Sequence, residues 1–247
     1  MPSPTPAEID RFLPAPQIHP LPASLSQRQT IAPGNDYFDR VQPTIAGYLV
    51  WSRFPVRVYI EPATQMQDRS QEWFTAVKDA IQDWNTYLPL TIVSSSDAAD
   101  ITIWRRNPPL KVDRSALQHD AQRQADRSSG GSRQAETRAR SAETQFTLFV
   151  AREAFPPGDP TPGKPTLSHR MTIWLGMNQT QNYLRAAARH ELGHALGIWG
   201  HSSNTADVMY FSQVRQPPPI SDRDLNTLKR IYQQPTRLGW EIPQPSN

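Results

Sequence analysis

The stretch His190-Glu191-Leu192-Gly193-His194-Ala195-Leu196-Gly197-Ile198-Trp199-Gly200-His201 constrains this chain more than any other segment. Its first five residues form an H-E-x-x-H motif. On a helix, positions four apart share one face, with Cβ atoms about 5–6 Å apart. Two imidazoles at that spacing reach one zinc ion at about 2.0–2.1 Å. Glu191 follows the first histidine directly, so its carboxylate is placed to act as general base on a water held by the metal. Gly197 lets the helix end, and His201 is placed to return as a third ligand. The expectation from these residues is zinc-dependent hydrolysis of peptide bonds.

An H-E-x-x-H pattern also arises on solvated helices that bind nothing, so the surrounding residues decide. At about 100° per residue, Leu184, Ala188, Leu192 and Ala195 form one stripe, and His190 and His194 fall on nearly the opposite side. The neighbours of the histidines there are Ala186, Ala187, Gly193 and Gly197, all small. The apolar stripe is therefore expected to enter a core while the histidine face opens on a cleft. A core histidine would have bulky apolar neighbours instead. Tyr183 to Leu196 lacks proline and is rich in Ala, Leu and Arg, which favours helix, and Gly197 suits a left-handed C-terminal exit.

H-E-x-x-H followed by Gly197 and another histidine resembles the metzincin zinc endopeptidases. Ser202 after His201 is similar to the matrixin branch, and Asp207-Val208-Met209-Tyr210 resembles the methionine turn of that clan. The resemblance implies an α+β, zincin-like catalytic domain. Its parts would be a mixed, twisted five-stranded sheet with an antiparallel edge strand, an active-site helix and a C-terminal helix. One catalytic Zn²⁺ would be held by His190, His194 and His201. Met209 would support these ligands from below without binding metal, and Gly197 would turn the chain. A protein or peptide substrate and a secreted or extracytoplasmic setting are implied as well.

Two departures from the family pattern stand out. Three residues, Ile198, Trp199 and Gly200, separate Gly197 from His201 where metzincins have two; Gly200 is expected to absorb the extra residue through unusual dihedrals. Phe211 occupies the position two after Met209, where astacins and serralysins carry a zinc-binding tyrosine. The Pro-x-Tyr that usually walls the matrixin specificity pocket is also missing. Only fragments of a His-Asp-His-His set for a second zinc exist, so neither structural calcium nor a second zinc is expected. His19, His119 and His169 are read as solvated surface histidines.

Proline sets the expected boundaries. It crowds residues 1–45 and recurs from Pro235 onward, which predicts a proline-rich extension over 1–46, a catalytic domain over 47–234 and a tail over 235–247. A domain of about 190 residues is ample for an independent core. The chain has no cysteine, which excludes disulfides and cysteine-based latency. No apolar run resembles a signal peptide, and none approaches the roughly 18 apolar residues of a membrane span. Between Arg105 and Arg140 nine basic residues stand against four acidic ones, in a chain of net charge +3. That segment reads as a flexible basic insertion over about 105–144. It lacks interleaved aromatics to stack on bases, so no nucleic-acid partner is expected. A monomer is.

Elsewhere, Leu49 to Glu61 contains two apolar runs, and residues 57–61 alternate as a strand does. Asp68 and Gln71 fit a capping box opening a helix with Trp73, Val77, Ile81 and Trp84 on its core face. Residues 90–93, 101–104, 145–150 and 171–175 read as strands. By the resemblance, 145–150 is the edge strand bordering the cleft, where an extended peptide can pair through main-chain hydrogen bonds. A Pro- and Gly-rich link spans 156–165. Ser221 caps a last helix reaching Tyr232, with Leu225, Leu228 and Ile231 spaced three apart. Two alternatives stay open: a noncatalytic zinc-stabilised module that binds a peptide in the same cleft, and a basic interaction protein acting through 105–140. Glu191 weighs against the first, since a pure binding site has little use for a general base.

Overall fold

In strand β1 (Val56–Ile60), Val56, Val58 and Ile60 are buried while Arg57 and Tyr59 are half-buried, the period-two pattern of a sheet with one core face. The computed structural model describes residues 12–28, 34–63, 68–109, 141–152 and 163–243. After a one-turn helix α1 (Ala23–Ser26) come β1, α2 (Asp68–Asn85), β2 (Leu90–Val93) and β3 (Ile101–Trp104). The chain closes with β4 (Ala142–Ala151), β5 (Thr166–Leu175), α3 (Gln181–Ala195) and α4 (Asp222–Tyr232). The sheet order is β2-β1-β3-β5-β4. All neighbours pair in parallel except β4, which runs antiparallel to β5 along one edge. This is the mixed five-stranded α+β architecture that the motif region implied.

Helix α2 buries the face its spacing predicted: Trp73, Val77, Ile81 and Trp84 are almost inaccessible to solvent. A buried indole N–H needs an acceptor. Trp73 Nε1 donates to the Leu175 carbonyl at 3.0 Å, and Trp84 Nε1 donates to the Arg189 carbonyl at 2.8 Å. The second bond ties α2 directly to the helix that carries the histidines.

The edge hairpin is longer than its apolar runs indicated. All ten residues of β4 pair with β5, from Ala142↔Leu175 to Ala151↔Thr166. Residues 142–144, which composition placed in the basic insertion, are therefore strand. They lack the aliphatic and aromatic residues that mark a strand in sequence, but pairing with β5 supplies the backbone bonds regardless. Residues 110–140, with most of the expected insertion and His119, lie outside the described residues. So do 1–11, 153–162 of the Pro-rich link, the end of the expected tail from 244, and the side chain of the expected cap Asp68.

Leu25, Tyr37, Val41 and Ala46 precede the expected domain start yet are buried in the same core, and Leu238 joins it from beyond residue 234. The two arms also pair with each other: Gln17 and Thr236 exchange backbone hydrogen bonds of 2.9 Å. Proline-rich chain cannot build periodic elements, so it is anchored by single large side chains that leave no repeat to read.

His169 departs from its expected surface position. It lies on the core side of β5, 4% exposed and stacked on Trp51 with ring centroids 3.9 Å apart. Burial pushes its pKa down to about 3. In the unfolded chain the imidazole ionises near its ordinary value of about 6.5, so below that pH the unfolded state binds the extra proton. Stability from this group is therefore complete above pH ~6.5 and is lost as pH falls toward 3, by up to about 1.4 kcal/mol per unit. Urea midpoints at pH 7 and pH 5 should show a smaller acid loss in His169→Phe than in wild type, since phenylalanine keeps the stack and does not titrate.

Candidate active site

Helix α3 buries Leu184, Ala188, Leu192 and Ala195 as one stripe. The chain then leaves through Gly197 at φ +124°, a conformation that favours glycine. The Ile198 N–H bonds back to the Gly193 carbonyl at 3.0 Å, which closes the helix end. Two tight turns follow: Trp199 N–H donates to Gly197 O, and Gly200 N–H donates to Ile198 O. They absorb the extra residue and deliver His201 beside the helix.

Gly200 is needed for space rather than for dihedrals, because its φ lies outside the left-handed region. A Cβ there would overlap the Arg40 carbonyl oxygen and crowd the backbone of Val41. The Gln42 N–H donates to the Trp199 carbonyl at 3.0 Å, so the N-terminal arm braces this turn. Gly200→Ala must push two backbones apart and should cost about 1–3 kcal/mol, read as a lower urea midpoint. An unchanged midpoint would mean that the contact is not tight.

The three imidazoles converge. His190 and His194 have ring centroids 4.8 Å apart, His194 and His201 4.8 Å, and His190 and His201 5.2 Å. Their candidate ligand atoms lie within 4.8 Å of one another. The His190 Nδ1 lies 2.8 Å from the Val208 carbonyl, and the His194 Nδ1 lies 2.8 Å from the Ile198 carbonyl. A carbonyl only accepts, so each Nδ1 carries a proton, which leaves Nε2 as the atom that can offer a lone pair to a metal. Burial lowers the His194 pKa well below the ordinary imidazole value, and neighbouring His190 and His201 lower it further. His201 is lowered too, by desolvation and then by His190. Neutral imidazole is the form that binds a metal.

Beneath the histidines lies the turn containing Met209. Met209 is fully buried, and its thioether fills the place a Cβ on Gly193 would take. The Ser202 N–H donates to the Met209 carbonyl at 2.7 Å, which fastens the His201 loop to this turn. Ser202 Oγ in turn donates to Asp207 at 2.5 Å. Behind the turn, buried Asp224 accepts the Val208 N–H at 2.9 Å and the Tyr37 hydroxyl at 2.5 Å. Asp224 also completes a capping box with Ser221 at the start of α4. One carboxylate thus joins the last helix, the N-terminal arm and the turn whose carbonyl orients His190.

Glu191 lies beside the histidines, 8% exposed, and accepts a hydrogen bond of 2.6 Å at Oε2 from the Thr144 hydroxyl. Two concavities flank it. One, of about 720 Å³, surrounds the three histidines and is walled by Arg40, Gln42, Glu143, Thr144 and Trp199. The other, of about 320 Å³, opens beside His190 and Glu191 between Tyr183, Ala186 and Ala187 on one side and Val208, Val214 and Pro217 on the other. The edge strand that the resemblance placed at 145–150 begins three residues earlier, and its first residues, Ala142 to Thr144, line the concavity around the histidines.

Residues 50–233 match the matrixin family. The chain belongs to the matrixin family. No curated protein matches it. Matrixins are zinc metallopeptidases, and the donor set fits that metal: three imidazoles, two of them with the tautomer fixed by a backbone carbonyl, as zinc ligands usually have. In this matrixin, Gly200 and the arm at Arg40–Gln42 accommodate the extra residue before His201. The side chain two after Met209 is Phe211, exposed and without a metal-binding atom. No Pro-x-Tyr follows Met209, and the smaller cavity beside His190 and Glu191 is lined after it by Tyr210, Phe211, Val214, Pro217 and Pro218 among others. Thr144, Asp224 and Tyr37 carry no motif signal; the three-residue spacing of Ser221 and Asp224 is the one local pattern that could have marked the aspartate as structural.

Proposed function

We propose that this matrixin is an endopeptidase in which His190, His194 and His201 hold one zinc ion and Glu191 carries the proton. The observation that supports this best is the convergence of the three imidazoles beside a nearly buried carboxylate in an open cleft. A bound zinc ion supplies Lewis acidity, which acidifies a water and polarises a carbonyl oxygen. Glu191 accepts the proton of the attacking water as its oxygen adds to the peptide carbonyl carbon. When the C–N bond breaks, Glu191 returns that proton to the amine nitrogen, giving a carboxylic acid and an amine, and transfer of the acid's proton to the amine leaves carboxylate and ammonium products. The exposed edge of β4 holds the peptide extended through main-chain hydrogen bonds. The cavity between Ala187 and Val214 receives one substrate side chain, and its lining favours an apolar one. Met209 and Gly197 serve the site by supporting it and by turning the chain toward His201. Matrixin membership supports an extracytoplasmic place of action.

Digestion of casein, an unstructured protein, tests this reading directly. The purified protein should release internal fragments whose new termini mass spectrometry can map, with apolar residues enriched on one side of the cut. Intact casein that merely co-purifies with the protein would favour a noncatalytic peptide-binding module.

A further inference from the structure

The geometry points to Thr144 as the residue that holds the Glu191 carboxylate in its working orientation, an inference that rests on Glu191 carrying the proton. The terminal torsion of a glutamate is broad and only twofold, so an unrestrained carboxylate samples many directions. The Thr144 hydroxyl removes that freedom. Its Oγ1 lies 2.6 Å from Glu191 Oε2, within the range of about 2.5–2.7 Å typical of an O–H donor on a charged oxygen. The same Oγ1 lies 3.1 Å from the Glu191 backbone carbonyl. A hydroxyl has one proton, and the nearer, charged acceptor takes it. Both side chains are buried, Thr144 at 7% and Glu191 at 8% exposure, so water competes little for either.

Rigidity comes from where Thr144 sits. It pairs with Ile173 within the ten-residue β4–β5 ladder, and Ile173 is itself fixed in the core. The β-branched side chain has few χ1 choices. The hydroxyl is thus presented by the sheet, while the carboxylate is presented by α3. Thr144 is the point where the substrate-holding edge touches the proton carrier. A misplacement of the order of 1 Å at a reacting group costs about a hundredfold in rate, which gives such a restraint its value. Thr144 is a positioning residue: it acts through Glu191, not on the substrate.

Replacing Thr144 by valine keeps the shape and deletes the donor. In zinc-loaded enzyme assayed on a defined peptide, Thr144→Val should lower kcat about ten- to a hundredfold. KM should stay within about twofold, with zinc content at wild-type level and the protein still folded at the assay temperature. Thr144→Ser retains the hydroxyl and should recover most of the rate. In a Glu191→Gln background, adding Thr144→Val should cost nothing further, because residues that act as a unit are not additive. Wild-type kcat in Thr144→Val would overturn the proposal. So would a loss confined to KM or to metal content, a serine variant as slow as the valine, or full additivity with Glu191→Gln. If Glu191→Gln alone cleaved like wild type, the failure would lie with the role given to Glu191.

Discussion

Glu191→Ala should cut casein cleavage by at least about a thousandfold while zinc content and fold stay at wild-type level. The carboxylate is placed beside the three histidines but is not among the converging ligand atoms, so its removal should spare the metal. Glu143, the other acidic side chain lining that concavity, adjoins Thr144 on β4 and accepts a hydrogen bond from Gln145 at 3.0 Å. Rates on one peptide, taken with metal analysis of the same samples, check this. A variant that kept more than about a tenth of the rate would remove Glu191 from the chemistry.

Asp224→Ala is expected to be the most damaging single change to stability, at about 3–5 kcal/mol. Its carboxylate is fully buried and accepts from the Tyr37 hydroxyl at 2.5 Å, the Val208 N–H at 2.9 Å and the Ser221 N–H at 2.8 Å. Alanine strands the Tyr37 hydroxyl and the Val208 N–H where water cannot replace the acceptor, and it releases the half-buried Ser221 N–H as well. The loss should reach the metal as well. The Val208 carbonyl orients His190 at 2.8 Å, and loosening such a partner typically costs about 10–100-fold in metal affinity. Urea unfolding gives the first quantity and zinc titration the second. A destabilisation below about 1 kcal/mol would mean that the turn is held by its other contacts.

The helix of the H-E-x-x-H motif, the core face of α2 and all five strands, the last two only in part, were legible from runs of apolar residues, several with a period of 3.6 or two. The histidine face was legible for the converse reason, since its neighbours are small. What escaped notice was held by single contacts. Leu25 and Tyr37 anchor a proline-rich arm with no repeat to announce them. His169 looks like a surface histidine until the strand is placed, and only then does its alternation put it against Trp51. Thr144 lies in a polar stretch that composition assigns to an insertion, yet its neighbours in space, β5 and α3, come from residues 166–195. Local composition cannot report a partner that distant in the chain. Gly200 was singled out correctly, but for its dihedrals; the approach of Arg40, 160 residues earlier, is what requires it.

Restoring zinc to chelated protein tests the whole account in one titration. Cleavage of casein should vanish on chelation and return linearly with added zinc, saturating at about one ion per chain. Cleavage that survived complete removal of the metal, or zinc uptake that restored none of it, would contradict a zinc endopeptidase built on His190, His194 and His201.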